Sequence, residues 1–262
     1  MMARLWAFQV KKQLPWLLMW CLAALLLCAG AVSIYDDYTV EQLSNARAQG
    51  TFLFSAMGIL GSATLSNHLA SLLYGLLLPV LGSALAICLS ARMTAGKLET
   101  GEMAYYLALP LRRSTVALVQ AAVVGAGLLL FVLSAVAGGV AAAAWLKPGE
   151  LSIVWFFWMN AGLFLMLCMS AGLALAVSLG SDEAARARRL AGLLFLVLFV
   201  VYAISRPGQM PAWLRYFSWY SLYDPQALST GRLSPAYLLM LPISLLLLLI
   251  GLRRFASRNL PL

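Results

Sequence analysis

The side chains in this sequence best suited to catalysis are a serine and the only histidine, Ser66 and His68, two positions apart. A serine hydroxyl beside an imidazole base is the pairing that serine hydrolases use to form an acyl-enzyme. In a helix, however, residues two apart do not face each other, and no Gly-x-Ser-x-Gly turn surrounds the serine. A single histidine also cannot supply a His-Glu-x-x-His zinc site. A membrane hydrolase is therefore the weakest of the functions that the sequence leaves open.

Metal and nucleotide chemistry are missing from the sequence as well. The four cysteines have none of the spacings of a metal site and are expected to be small buried apolar side chains: Cys21, Cys28, Cys88 and Cys168. No G-x-x-x-x-G-K-[ST] phosphate loop is present. We therefore predict that this chain holds no metal and no cofactor, and that it is not itself an ATPase.

The composition indicates an integral membrane protein. Of the 262 residues, 63% are hydrophobic and only 10% are charged, and the mean hydropathy is +0.90. Soluble domains carry about 25% charged residues. The formal net charge of +9 does not predict a nucleic-acid partner, because the basic residues cluster between apolar runs, where they set membrane orientation.

Six apolar runs have roughly the length of a transmembrane helix, which needs about 20 residues. The predicted spans are residues 16–35, 69–91, 115–146, 151–180, 190–205 and 235–252. They predict an all-α integral membrane protein in which residues 1–262 form one transmembrane domain. The basic segment ahead of the first span is expected to be an interfacial elbow helix. Outer interfacial helices are expected at residues 52–65, before the second span, and within residues 206–234, before the sixth.

The basic residues also predict the orientation of the chain. With both termini in the cytosol, only five of the 18 lysines and arginines fall in outer loops: Arg47, Lys147, Arg206, Arg215 and Arg232. The positive-inside rule therefore supports six spans with cytosolic termini. No predicted span contains Asp, Glu, Lys, Arg or His. This disfavours an ion-coupled carrier, because such carriers keep ionisable groups at mid-membrane.

The most distinctive hydrophilic stretch is the central segment, residues 95–114, between the second and third spans. Glu99 and Glu102 are predicted to lie near the start of one short helix, where carboxylates suit the positive end of the helix dipole. Pro110 ends that helix, because proline removes a backbone donor and disfavours the helical conformation of its predecessor. A helix held between two spans in this way can transmit movement from a soluble partner into the membrane.

The central segment resembles the cytosolic coupling segment of ABC-2-type transporter permeases. The residues that carry the resemblance are Glu-x-Gly at positions 99–101 and Leu-x-Leu-Pro-x-x-Arg at positions 107–113. Residues 217–225, in which serine and aromatic residues precede an Asp-Pro pair, resemble the stretch before the last span in the same family. An importer-type loop, with Glu-Ala-Ala and a longer Gly-to-Pro spacing, fits less well. With the elbow and the six spans, the resemblance covers essentially the whole chain.

The resemblance implies the permease subunit of an ATP-driven exporter in the cytoplasmic membrane of a prokaryote. ATP and Mg²⁺ would be bound by a separate ATPase, in two copies, and a second permease would complete a homodimer or heterodimer. The residues expected to couple to the ATPase are Glu99, Gly101, Glu102, Tyr105, Tyr106, Leu109, Pro110, Arg112 and Arg113. The glutamates are the expected polar contacts and the glycine a turn or close-packing position. The two arginines serve equally well as anchors at lipid phosphates.

Gln120 and Asn160 are the notable uncharged polar side chains in or near the spans. They either contact the cargo or form hydrogen bonds between helices. Spans without charges favour a hydrophobic or amphiphilic cargo. Besides the hydrolase, one more function stays open, namely an immunity or signalling component that sequesters a toxin without transporting it.

Overall fold

The computed structural model describes residues 2–35, 64–108, 112–205, 218–232 and 236–257, and every regular element within them is helical. The helices in chain order are α1 (Met2–Ser33), α2 (Leu65–Leu72), α3 (Leu78–Met93), α4 (Ala95–Glu99), α5 (Glu102–Leu107), α6 (Arg113–Leu146), α7 (Ile153–Leu179), α8 (Ala184–Ser205), α9 (Pro225–Ser229) and α10 (Ala236–Ser257). A π-helical turn, Leu73–Leu77, joins α2 to α3, and a 3-10 turn, Trp219–Leu222, precedes α9.

Six helical stretches of the described chain are long and apolar enough to cross a membrane, which confirms the predicted number of spans. The third and fourth, α6 and α7, begin and end within two residues of their predicted bounds. The second runs through α2, α3 and α4 for 35 residues. Because the hydrocarbon core needs only about 20 residues, we place the membrane part of this stretch before Thr94, and α4 extends beyond it.

Two helices extend beyond the predicted spans at their charged ends. The fifth span was expected to follow a charged loop over residues 181–189, but α8 already begins at Ala184. The sixth continues past residue 252 to Ser257. In both cases alanine and arginine favour the helical conformation, so the helix runs out of the apolar region without a break.

The described residues include all, almost none or part of the three predicted interfacial helices. The elbow residues are helical and continuous with the first span in α1, in which Pro15 lies. The outer helix at residues 52–65 falls almost entirely outside the described residues. Before the sixth span, the described part begins at Ser218 and forms a 3-10 turn and the short helix α9.

The Asp-Pro pair before the last span forms the start of α9. The Asp224 carboxylate accepts hydrogen bonds from the backbone N–H groups of Gln226 and Ala227, at 3.1 and 3.2 Å, and Pro225 occupies the first turn. Both residue types suit a helix start, since aspartate satisfies orphan N–H groups and proline has none to satisfy. The Ser229 hydroxyl then donates to Asn67 in α2, which ties this cap to the second span.

Helix α7 lies at the centre of the bundle. Of its most apolar 18 residues, 72% are buried, compared with 22% for the corresponding parts of α8 and α10. It packs against α3, α6, α8 and α10, while α1 packs mainly against α6. The outer helices therefore expose rows of leucine to lipid or to another membrane subunit.

Glycines allow the closest approaches between spans. A Cβ atom added at Gly138 in α6 would lie 2.9 Å from the Cα atom of Leu25 in α1, and one added at Gly251 in α10 would lie 3.0 Å from the Cα atom of Ala176 in α7. Such distances are too short for a side chain, so these helices pack backbone to backbone, as small residues permit in membranes. At Gly125, also in α6, no atom lies within 4 Å of an added Cβ.

We expect Gly138→Ala to destabilise the protein by about 1–3 kcal/mol, because the added methyl group must push α1 away from α6. Thermal unfolding of the purified protein in detergent measures this loss. Gly125→Ala is the matched control in the same helix and should leave the unfolding temperature nearly unchanged. Equal unfolding temperatures for the two variants would show that the α1–α6 contact does not depend on this glycine.

Candidate functional site at the basic end of the bundle

The central segment folds into two short helices rather than one. Glu99 is the last residue of α4, and Glu102 is the first residue of α5. The prediction that both glutamates share a helix start is therefore wrong for Glu99. The reason is Gly101, whose φ of +73° lies in the left-handed region that glycine adopts without strain. Nothing lies within 4 Å of a Cβ added there, so Gly101 is a turn residue and not a close-packing one.

The Glu99 carboxylate lies at the start of the fifth span. Its Oε2 atom accepts a hydrogen bond of 2.9 Å from the backbone N–H of Ala184, the first residue of α8. The first N–H groups of a helix have no partner within it and carry the positive end of the dipole. A carboxylate from α4 thus caps α8 and joins the central segment to the fifth span.

The Glu102 carboxylate forms an ion pair with Lys12 in α1. The Lys12 Nζ atom lies 2.9 and 3.1 Å from the two carboxylate oxygens. The two side chains are 49% and 40% exposed, and an exposed pair of this kind contributes about 0–1 kcal/mol. The pair therefore adds little stability, but it sets the position of α5 relative to the first span.

Lys97 in α4 is buried although it is charged. Its side chain is only 5% exposed, and its Nζ atom has no hydrogen-bond partner among the described residues. The ammonium lies 4.7 Å from the centre of the Tyr106 ring, where the π electrons attract a cation. Burial, together with the nearby Glu102 carboxylate, raises the pKa of Tyr106 above its usual value. Sequence reasoning missed Lys97, because a lysine that follows an apolar run normally only reports orientation.

The remaining candidate coupling residues lie at the surface where they are described. Tyr105 is 80% exposed, which is unusual for so large an aromatic side chain. Arg112 and Arg113 are exposed at the start of α6. Leu109 and Pro110 fall outside the described residues. The exposed side of α5 is therefore the part of the central segment open to a partner.

A cleft of about 410 Å³ opens between the central segment and the ends of α1, α3 and α8. We call it the basic cleft, and its lining residues are Lys12, Gln13, Arg92, Gly96, Lys97, Glu99, Thr100, Glu102, Ala184 and Arg188. The Arg92 guanidinium also lies 4.8 Å from the centre of the Trp16 ring. Four basic side chains thus face two carboxylates, which leaves the cleft with a positive balance.

Gln120 and Asn160 do not form a common site. Gln120 lies about two turns into α6, near the central segment, and its Nε2 atom is 3.7 Å from the Sδ atom of Met103 in α5. Asn160 lies about two turns into the antiparallel helix α7, near the opposite end of the bundle. Its Nδ2 atom donates to the Phe156 carbonyl of its own helix at 2.9 Å. The Gln120 contact joins two elements and holds α5 against the third span.

The structure gives no support to a hydrolase. Both ring nitrogens of His68 are buried without a hydrogen-bond partner among the described residues, so Ser66 does not bond to this imidazole. The His68 ring packs instead against Tyr35, with 5.3 Å between the ring centres. Within the described ranges, no group of histidine, cysteine, aspartate or glutamate side chains could hold a metal ion.

The six long apolar helices define a multi-pass membrane protein, and the described part of the central segment is folded into two short helices. Comparison with protein families gives the class: residues 6–260 match the family described as ABC-2 family transporter protein. The chain therefore belongs to the ABC-2 transporter family, and it is a membrane component of a transport system. This confirms the resemblance drawn from the central segment. A search of curated proteins gives no match.

We expect Glu99→Ala to weaken the start of α8 by about 1 kcal/mol, the usual cost of losing a helix cap. The backbone amides at the beginning of α8 should then exchange with deuterium about fivefold faster, which hydrogen-exchange mass spectrometry measures. Glu150→Ala, an acidic residue in the turn between α6 and α7, is the matched control and should leave this exchange unchanged. Unchanged exchange in Glu99→Ala would contradict the capping role.

Proposed function

We propose that this chain is the permease subunit of an ATP-driven ABC-2 exporter in the cytoplasmic membrane of a prokaryote. Family membership supports a transport component, and the six spans predicted from the sequence contain no charged residue and no histidine, which argues that the energy comes from elsewhere. The energy source is a separate ATPase that binds ATP and Mg²⁺. Two ATPase copies and a second permease, identical or similar, would complete the assembly. The cargo is hydrophobic or amphiphilic.

The observation that carries this proposal is the set of contacts between the central segment and three different spans. Glu102 bonds to Lys12 in the first span, and Glu99 bonds to the first residue of the fifth. Met103 lies against Gln120 in the third span. The segment also continues directly from the second span through α4. Movement of α5 by a partner is therefore passed on to four spans at once.

In the proposed mechanism, the ATPase contacts the exposed side of α5, with the Tyr105 ring as the main apolar contact. ATP-driven closure of two ATPase subunits would shift α4 and α5. Since these short helices contact the ends of the spans, the spans would tilt relative to α7 at the centre. The change would open the bundle to one side of the membrane and then to the other.

The orientation predicts which positions a membrane-impermeant maleimide can reach. In a variant with the four cysteines replaced by alanine, Pro148→Cys should react in intact cells. Glu183→Cys should react only after the membrane is permeabilised, since the basic end faces the cytosol. Both residues are exposed in turns between spans. The reverse pattern of labelling would rule out both the proposed topology and the position of the ATPase.

Tyr105→Ala should lower ATPase stimulation by about tenfold in the complex of the permease with its ATPase, because an aromatic contact at the centre of an interface is worth 1–2 kcal/mol or more. ATP hydrolysis in reconstituted liposomes measures this effect. Trp145→Ala is the matched control. Trp145 is also highly exposed, at 89%, but it lies at the C-terminal end of α6, whereas Tyr105 lies in α5 near the N-terminal end of α6. This control should leave hydrolysis unchanged.

Two outcomes would argue against coupling through α5. If Tyr105→Ala and Trp145→Ala both kept full stimulation, the ATPase would contact another surface. If the permease purified from its native membrane without any ATPase, the alternative of a component that sequesters a toxin without transport would replace the exporter.

A further inference from the structure

The basic cleft contains a buried cation that has no hydrogen-bonded carboxylate among the described residues. The Lys97 side chain is 5% exposed and lines the cleft, and its ammonium lies against the Tyr106 ring. A buried charge is costly unless it is paired and hydrogen-bonded. The two carboxylates of the cleft are already engaged, Glu99 by the Ala184 N–H and Glu102 by Lys12. With four basic side chains and two carboxylates in its lining, the cleft keeps an excess of positive charge.

An apolar groove lies next to the cleft, further along α8. Arg188 lines the cleft, and Gly192, one helical turn further, lines the groove. The groove has a volume of about 200 Å³ and lies between α3 and α8. Its lining residues are Val80, Ser83, Ala84, Ile87, Gly192, Phe195, Leu196, Phe199 and Tyr220. The positive polar cavity at the end of the bundle and the apolar one between the spans are therefore neighbours along α8.

We propose that these two cavities together bind one anionic phospholipid. Its phosphate lies in the basic cleft, where Lys97 and Arg188 donate hydrogen bonds to it, and one acyl chain lies in the groove between α3 and α8. Charge-assisted hydrogen bonds from lysine and arginine to phosphate are among the strongest in proteins, and basic pockets between membrane helices suit such headgroups. The inference uses only the cleft, the groove and the membrane, and does not rest on the proposed exporter function.

The groove distinguishes a lipid from other sources of negative charge. A free phosphate ion or a carboxylate of a partner protein could neutralise Lys97, but neither would fill an apolar cavity at the depth of the hydrocarbon. The neighbouring Arg92–Trp16 contact places a cation and an indole ring at the same end, and tryptophan favours the headgroup region of a membrane. The headgroup level of the bilayer therefore coincides with the cleft.

The test measures lipid binding to the purified, delipidated full-length protein in detergent, by native mass spectrometry and by the shift in unfolding temperature. The probes are dioleoyl phosphatidylglycerol, dioleoyl phosphatidylcholine and inorganic phosphate alone. We expect phosphatidylglycerol to bind at least about tenfold more tightly than phosphatidylcholine, because the net positive cleft attracts an anionic headgroup, at about 1 kcal/mol per basic group, and repels the quaternary ammonium of choline. Inorganic phosphate should neither stabilise the protein nor compete at equal concentration.

Two variants test separately the binding of the lipid headgroup and the binding of its acyl chain. The double variant Lys97→Met and Arg188→Gln should weaken phosphatidylglycerol binding by about tenfold, whereas Arg189→Gln, its exposed neighbour that does not line the cleft, should not. Gly192→Leu places a side chain in the groove and should also weaken lipid binding. It should fold normally, because no atom lies within 4 Å of a Cβ at this position. If the double variant does not fold, lipid binding by Gly192→Leu still tests the proposal.

Three results would overturn the proposal. Equal affinity for the two lipids would show that the cleft does not select an anionic headgroup. Stabilisation by inorganic phosphate that Gly192→Leu leaves intact would assign the cleft to a free anion. If Lys97→Met abolished association with an ATPase while lipid binding stayed the same, the cleft would instead receive an acidic side chain of that partner.

Discussion

The absence of water in the bilayer core is the constraint on which the rest of this structure depends. Every backbone N–H and C=O group there must be paired within its own segment, so the spans are helices. Charged side chains are expelled from them for the same reason and collect where the helices end. At the basic end, charges from α1, α4, α5 and α8 thus meet in a small volume. The distinctive chemistry of the protein is a consequence of that crowding.

Within this volume, short-range contacts decide what each charge does. Glu99 satisfies a helix start and Glu102 satisfies a lysine, and each contact joins the central segment to a different span. The cap contributes about 1 kcal/mol, and the ion pair contributes less because its two side chains are partly exposed. Their effect is geometric, since they hold α5 with one side against the bundle and the Tyr105 side free. The same arrangement leaves Lys97 buried without a hydrogen-bonded carboxylate among the described residues.

The long, uniformly apolar segments are the part of the fold that could be predicted from sequence. The six spans follow from length and hydropathy alone, and family membership confirms the resemblance seen in the central segment. The failures lie at polar boundaries. Glu99 was predicted to lie near the start of one short helix, but it is the last residue of α4. The left-handed turn at Gly101 divides the central segment into two helices. Helix α8 begins ahead of the predicted fifth span, because arginine is as compatible with helix as with loop.

The sequence by itself determined the class of the protein, since apolar length and the positions of basic residues depend only on the order of amino acids along the chain. The tertiary structure alone decided which charges meet. Lys12 and Glu102 are 90 positions apart, and Glu99 and Ala184 are 85 apart. No local pattern encodes such pairs, because they depend on how α1 and α8 pack beside α3 and α4. The burial of Lys97 has the same origin, in helices that close around it from distant parts of the chain.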